Sequence, residues 1–246
     1  MSKAKVRLYV DEPLGEGGAL VPSDADAHYM LKVMRMGVGE HVALFNGKDG
    51  EWLAAITHAT KKSLTLTIEK QLKTQSYGPD VWLVFAPIKK ARLDFIAQKA
   101  TELGVSGIRP VITQRTNAGR LKEERIWANA KEAAEQCECL SVPDVMPSCS
   151  LSELIANWDP ARKLMFCDEE LSGVAAHQAL QQVSQKGEAG PWAILIGPEG
   201  GVDDDERALI SQQSFAVPVS LGPRILRADT AAIAALSIWQ VALGDW

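Results

Sequence analysis

WAILIGPEGG, residues 192–201, opens with five apolar residues in a row and closes in a loop holding three glycines among five residues. An apolar run of that length stopped by Gly-Pro predicts a short strand buried on both faces. VWLVFAP (81–87) and KLMFCD (163–168) read the same way, and IRPVI (108–112) and AVPVSLG (216–222) are further strand candidates. Between them the period changes. LDFIAQKATELG (93–104) has helical spacing through Phe95/Ile96, Ala100 and Leu103, and Gly104 suits the left-handed position that ends a helix. Leu121 to Cys139 sets Ile126, Ala130, Ala133/Ala134 and Cys137 on one helical face. DDDERALISQQ (203–213) starts with Asp203 and Glu206, the spacing of a capping box. TAAIAALSIWQVAL (230–243) is apolar on most faces, which predicts a last helix buried against protein. Strands alternating with helices specify an α/β domain with a mostly parallel sheet.

Residues 1–72 follow another pattern. VRLYV (6–10) is short and β-rich, and SLTLTIE (63–69) alternates Leu64, Leu66 and Ile68 with polar residues, the period of a half-buried strand. HVALFNGKDGEWLAAI (41–56) carries two apolar runs around Asn46-Gly47 and Asp49-Gly50, dipeptides that favour tight hairpins. One helix interrupts, Asp24 to Met34, capped by Ser23 with Asp26 three residues on. These residues predict a small β-barrel. QLKTQSYGPD (71–80), broken by Gly78-Pro79, reads as a linker into a second domain at 73–246.

Composition narrows the function classes. Apolar residues at 46% and charged residues at 23% of 246 support a packed core and exclude a disordered chain. No apolar run reaches the roughly 20 residues of a membrane helix. The start, MSKAKVRLYV, lacks the apolar stretch of a signal peptide, so a cytoplasmic location is expected. Cys137, Cys139, Cys149 and Cys167 make no CxxC pair, so no zinc site is expected; Cys137 and Cys139 are close enough to form a redox pair or share a metal, against the plainer reading of reduced thiols. The net charge of −5 argues weakly against a nucleic-acid partner, but residues 87–99 gather Lys89, Lys90, Arg92 and Lys99 against Asp94 alone. A locally basic face on an acidic protein remains compatible with RNA.

Ligands of open α/β sheets bind beyond the C-terminal ends of the strands. Two loops stand there: Gly197-Pro198-Glu199-Gly200-Gly201, and Leu221-Gly222-Pro223-Arg224-Ile225-Leu226-Arg227-Ala228-Asp229-Thr230. Three glycines let a backbone approach a ligand closely. The chain has neither GxxxxGK[ST] nor GxGxxG, which excludes a P-loop and a dinucleotide fingerprint. Asp203, Asp204 and Asp205 would repel a phosphate at the following helix start, so an uncharged or cationic ligand fits better.

GPEGG followed by LGPRILRADT resembles the signature of the RsmE family of ribosomal RNA small-subunit uridine-N3 methyltransferases, members of the SPOUT superfamily. HYMLKVMRMGVGE (28–40), FNGKDGEW (45–52), KATELGV (99–105), ITQRTN (112–117) and AEQC (134–137) are similar to the same family, so the resemblance runs from Arg7 to Gly244. It implies a PUA-like barrel that helps hold RNA, then an α/β trefoil knot binding S-adenosylmethionine, in a homodimer joined partly by the last helix. Matching the motifs residue by residue implies cofactor contacts at Ile196, Gly197, Glu199, Gly200, Leu221, Gly222, Ile225, Leu226, Arg227 and Thr230. Cys139-Leu140-Ser141 stands where the family leads one to expect an arginine, and Asp229 where glutamate is common.

Uracil N3 is protonated and a poor nucleophile, so methylation there needs a base, or cations that stabilise charge on the flanking carbonyls. Arg115 and Arg227 are candidates for the cationic role and Glu135 for the base. A solvated helix carboxylate is an equal reading of Glu135, and a salt bridge to Asp229 or Glu199 an alternative for Arg227. Arg7, His28, Lys32 and Arg35 in the small domain, with Lys89, Lys90, Arg92 and Lys99 in the large one, are expected to grip RNA phosphates. Knotted methyltransferases also act on ribose 2′-oxygens and guanine N1; an RNA-binding factor without catalysis and a nucleotide hydrolase are the other readings.

Overall fold

The computed structural model describes residues 4–60, 63–117, 119, 121–168, 170, 173–185 and 190–246, with Lys90 described by its backbone alone. The chain divides into two compact units, one of Met1–Tyr77 with Ala134–Val142 and another of Gly78–Ala133 with Pro143–Trp246. A single cut at 72/73 therefore differs from the observed division in two ways. Strand structure runs on to Lys73 in what reads as linker. The segment Ala134–Val142 returns to the first unit, where Arg7 donates to the carbonyls of Ala134 and Cys139. No local period announces such a return.

The first unit holds β1 (Val6–Tyr9), β2 (Ala19–Leu20), α1 (Asp24–His28), β3 (His41–Phe45), β4 (Glu51–Ala59) and β5 (Leu64–Lys73). The sheet order is β1-β3-β4-β5-β2, with β1 parallel to β3 and the other pairs antiparallel. Between β3 and β4 the Asn46 side chain accepts from Lys48 N and Asp49 N, at 3.0 and 2.8 Å, while Gly47 takes φ 77° and Gly50 φ 81°. Only glycine fits position 50, since a Cβ there would lie 2.2 Å from Lys73 O. Three register shifts between β4 and β5 add twist. One face of the sheet buries Leu8, Val42, Leu44, Ala54, Ile56, Leu66 and Ile68 with Met30 and Met36. Ser23 caps α1 by accepting from Asp26 N at 3.1 Å, as the sequence predicts. The predicted helix to Met34 changes character part-way: Tyr29–Val33 is a π-helix, closed by Met34 N donating five residues back to Tyr29 O.

In the second unit come β6 (Val81–Phe85), α2 (Lys90–Glu102), β7 (Gly107–Ile112), α3 (Glu123–Gln136, whose end belongs to the first unit), β8 (Asp144–Val145), β9 (Cys149–Ser150) and α4 (Leu151–Ala156). They are followed by β10 (Lys163–Cys167), β11 (Val174–Ala175), α5 (Ala176–Gln185), β12 (Trp192–Ile196), α6 (Asp204–Ser211), β13 (Ala216–Ser220) and α7 (Ala228–Leu243). The order is β11-β13-β10-β12-β6-β7-β8, with β9 also paired to β7, and every pair is parallel. The apolar runs fill both faces. Val84, Leu164, Phe166, Ala193 and Leu195 pack with Leu151, Leu154 and Ile155 of α4 and Ile210 of α6. The alternate residues Leu83, Phe85, Ile194 and Ile196 are equally buried, and α7 packs against α2, α5 and β12. Each such side chain withdrawn from water contributes about 1.5–3 kcal/mol before chain entropy is counted. The capping box of Asp203 with Glu206 forms as predicted, and Gly104 follows α2 at φ 77°.

Candidate active site

The parallel strands deliver their C-terminal ends to a cleft of about 400 Å³ in the second unit. Cys167 ends β10, Ile196 ends β12, and the loop after β13 runs into α7. The cleft is lined by Cys167 and Ile196 at two strand ends, by Gly197, Pro198, Glu199 and Gly201 of one loop, by Ile225, Leu226 and Arg227 of the other, and by Ala228 and Ala231 of α7, with Arg92 from α2. Its volume lies in the range of small-molecule sites, about 300–1,000 Å³. A smaller cavity beside it is lined by Cys167, Asp168, Leu221, Arg224, Ile225, Leu226 and Ala231. Two loops on either side of α6 and β13 thus meet over one space.

The loops reach this geometry through their glycines and through one helix start. Gly201 has φ 76° and Gly222 φ 107°, in the region that an L side chain rarely adopts. A Cβ on Gly200 would sit 3.4 Å from Arg115 Cβ, and Arg115 Nη1 donates to Gly200 O at 3.2 Å. Arg115 also lies 3.6 Å from Asp203, so it is fastened to the side of the glycine loop rather than lining the cleft. Arg227 is the N-cap residue of α7 in extended conformation, and it is exposed.

Charge inside the cleft is arranged by Arg92. Its Nη1 donates to Glu199 Oε1 at 2.6 Å, and its Nε lies 3.7 Å from Asp229 Oδ2. The two carboxylates that the sequence offers to Arg227 therefore pair with Arg92, and no ion pair of Arg227 is found among the described residues. At the back of the cleft, burial pushes the Cys167 thiol far above its ordinary range, so it stays protonated and non-nucleophilic. Asp168, next in sequence, is buried and held by Arg207 Nε at 3.1 Å. The space offers backbone groups, apolar walls and charges of both signs, which suits a compact zwitterionic or cationic ligand better than a polyphosphate.

An RNA methyltransferase domain model matches residues 76–240, and an RNA methyltransferase PUA domain model matches residues 22–69. Ribosomal RNA small subunit methyltransferase E of Rickettsia conorii is 31% identical over 94% of this chain and 93% of its own length. The chain belongs to the ribosomal RNA small subunit methyltransferase E family. The Bacillus subtilis member is 31% identical over 86% of each chain. The Neisseria gonorrhoeae member, solved bound to S-adenosyl methionine, superposes with a TM-score of 0.86 at 27% identity over 98% of this chain and 99% of that one. A Legionella pneumophila protein solved with bound cofactor SAM gives 0.88 at 31% identity, again over 98% and 99%.

Within this family member the structure sorts the residues singled out from sequence. Ile196, Gly197, Glu199, Ile225, Leu226 and Arg227 converge on the cleft, and Leu221 lines the adjoining cavity. Gly200, Gly222 and Thr230 shape the loops without lining either space. Glu135 lies in the first unit, where its Oε1 accepts from Tyr9 N at 3.0 Å. Arg7 is a correction. Its side chain is only 11% exposed, and its guanidinium is spent on Glu51, on the carbonyls of Ala134 and Cys139, and on the Phe45 ring, so it has no free face for a phosphate. Arg92, expected on the RNA face, lines the cleft and is paired with Glu199 and near Asp229. Lys99 pairs with Glu102 at 2.7 Å. His28, Lys32 and Arg35 are exposed along one short stretch, and no ion pair engages them among the described residues. Lys89 is exposed at the start of α2, and the Lys90 side chain lies outside the described residues. Sequence reasoning missed Arg92 and Cys167 as cleft residues. Cys167 was within reach, since it is the last residue of an apolar strand and binding gathers at strand ends.

Proposed function

We propose that this chain methylates N3 of a uridine in small-subunit ribosomal RNA, with S-adenosylmethionine as the methyl donor. The observation that carries the reading is the single cleft built by the glycine loop at 197–201 and the loop at 221–230, in a member of a family of ribosomal RNA methyltransferases. Backbone at Ile196, Gly197, Leu226 and Ala228 would hold the cofactor, with Glu199 and Arg227 meeting its charged groups. When bound, S-adenosylmethionine supplies a methyl group already activated at its sulfonium.

The protein must then bring uracil N3 in line with that methyl group and ease the loss of the N3 proton. Arg227, exposed on the cleft wall and without an ion pair among the described residues, is suited to stabilise charge developing on a uracil carbonyl. Arg115, 48% exposed beside the glycine loop, is the second such cation. Glu135 is better understood as an anchor of the segment that returns to the first unit, because its carboxylate already accepts from Tyr9 N. His28, Lys32, Arg35 and Lys89 are exposed and can meet phosphates. The PUA domain would position the RNA, and the second domain would carry the trefoil knot that the family resemblance implies. A homodimer through α7 fits a helix that buries Ala232, Leu236 and Trp239 yet leaves Val241 69% exposed. No helix among the described residues is long and apolar enough to cross a membrane. With a ribosomal RNA substrate, the workplace is the cytoplasm.

The decisive test is transfer of labelled methyl from S-adenosylmethionine to small subunits from cells lacking the protein, followed by nucleoside analysis. N3-methyluridine is the expected product. Label on a ribose 2′-oxygen or a guanine would overturn the uridine assignment, and no cofactor binding by the folded protein would overturn the enzyme reading.

A further inference from the structure

We infer that Arg92 is a positioning residue of the cofactor cleft, a tie between its two loops, and not an RNA contact. The inference rests on the cofactor reading above. Arg92 stands in the first turn of α2, and its guanidinium reaches Glu199 of the glycine loop at 2.6 Å and Asp229, in the first turn of α7 after the second loop, at 3.7 Å. These residues come from three strand–helix connections that converge on the ligand space. The Arg92 side chain is 32% exposed and that of Asp229 18%, so solvent screens the contact only in part. An arginine serves here because its planar fork can face two carboxylates at once, which a lysine ammonium does less well.

Two consequences follow from this arrangement. Without Arg92, Glu199 and Asp229 would lose their shared cation, and the glycine loop would lose its tie to the start of α7. Arg92 also tempers the field that a cationic ligand meets, because it partly offsets the charge of Glu199 and Asp229. Its side chain is already committed when the protein is free, so the ordering is present before the ligand arrives.

The experiment compares wild type with Arg92→Gln, Arg92→Lys, Glu199→Gln and the Arg92→Gln/Glu199→Gln double variant. Calorimetry measures S-adenosylmethionine and S-adenosylhomocysteine binding, and filter binding measures RNA affinity without cofactor. Arg92→Gln is expected to weaken cofactor binding about tenfold, the scale of one lost charged hydrogen bond. Arg92→Lys should recover part of that loss, and the double variant should bind no worse than the worse single one. The KM for cofactor should rise more than the KM for RNA, while the melting temperature measured without cofactor and the RNA affinity stay near wild type. Weaker RNA binding with cofactor affinity intact would overturn the inference, as would losses that add fully in the double variant. Failure of wild type itself to bind either ligand would instead remove the cofactor reading on which the inference stands.

Discussion

Arg7 Nε donates to Glu51 Oε2 at 2.5 Å, between side chains that are 11% and 7% exposed, in the sheet of the first unit. The same guanidinium lies 3.7 Å from the centre of the Phe45 ring and holds two carbonyls of the returning segment. Removing it would strand a buried carboxylate and two carbonyls together. Arg7→Ala should therefore cost about 3 kcal/mol of stability, the scale for breaking a buried pair from one side. Arg7→Lys should restore only part, because an ammonium cannot reproduce the fork. Urea unfolding measures the loss. A variant of wild-type stability and weakened RNA binding would return Arg7 to the RNA surface.

A second pair reports on pH. Arg162 donates to both oxygens of Asp80, at 2.9 and 2.8 Å, and to Trp192 O, while stacking 3.7 Å from the Trp82 ring centre. Burial alone would raise the Asp80 carboxyl, but hydrogen bonds from Arg162 and Ser106 and the arginine charge outweigh it, so the carboxyl is held below its ordinary value. A carboxylate depressed by folding contributes stability above its unfolded value and loses it as pH falls through the folded one. Asp80→Asn should thus destabilise the protein at pH 7 by about 1 kcal/mol, a modest figure because the Asp80 side chain is 51% exposed. The gap to wild type should shrink when unfolding is repeated near pH 3 and below. A gap that is constant with pH would show that charge is not its source.

Cys167 offers a chemical probe of the cleft. It is 8% exposed and held protonated by burial, whereas Cys137, Cys139 and Cys149 are half-buried. Alkylation by iodoacetamide at neutral pH, followed by peptide mass mapping, should modify Cys167 roughly tenfold more slowly than the other three or slower still. Rapid labelling of Cys167 in the folded protein would mean that the cleft is open to its floor.

Local features were legible in the sequence because they are written within a few residues. The Ser23 and Asp203 caps, the glycine after α2, the Asn46 hairpin and the buried runs of β6, β10 and β12 each follow from spacing alone. The two loops that line the cleft were legible as well, through their glycines and their place after apolar strands. Contacts that close over long separations were not. Arg92 meets Glu199 across 107 residues and Arg7 meets Ala134 across 127, and neither arginine carries a periodic mark that says so. Both therefore read as free surface cations. Strands of two residues such as β8, β9 and β11 are too short to show alternation, and the π-helical turn at Tyr29–Val33 has the same spacing to the eye as an α-helix.

Of Gly200 and Gly222 in the two cleft loops, Gly222 should tolerate substitution worse, for conformational reasons. Its φ of 107° is strained for any L side chain, although a Cβ there would meet no atom within 4 Å. Gly222→Ala should cost about 1–2 kcal/mol, or else shift the loop and weaken cofactor binding. Gly200→Ala, with ordinary φ and one contact at 3.4 Å to Arg115, should cost less. Thermal melts with and without S-adenosylmethionine separate the two effects. Equal tolerance at both positions would contradict the loop geometry.

Arg227 is where structure and chemistry can be pulled apart. It caps α7 by its backbone, its side chain is exposed on the cleft wall, and the carboxylates near it are taken by Arg92. Truncating a surface side chain without an ion pair should change stability by no more than about 0.5 kcal/mol. If its guanidinium stabilises charge on uracil in the transition state, Arg227→Ala should lower kcat about a hundredfold. Arg227→Lys, which keeps the charge but not the fork, should fall between. Single-turnover methyl transfer at saturating S-adenosylmethionine isolates this step from binding. A normal single-turnover rate accompanied by a raised KM for S-adenosylmethionine would move Arg227 from the reacting base to the cofactor, and would leave charge stabilisation to Arg115 beside the glycine loop.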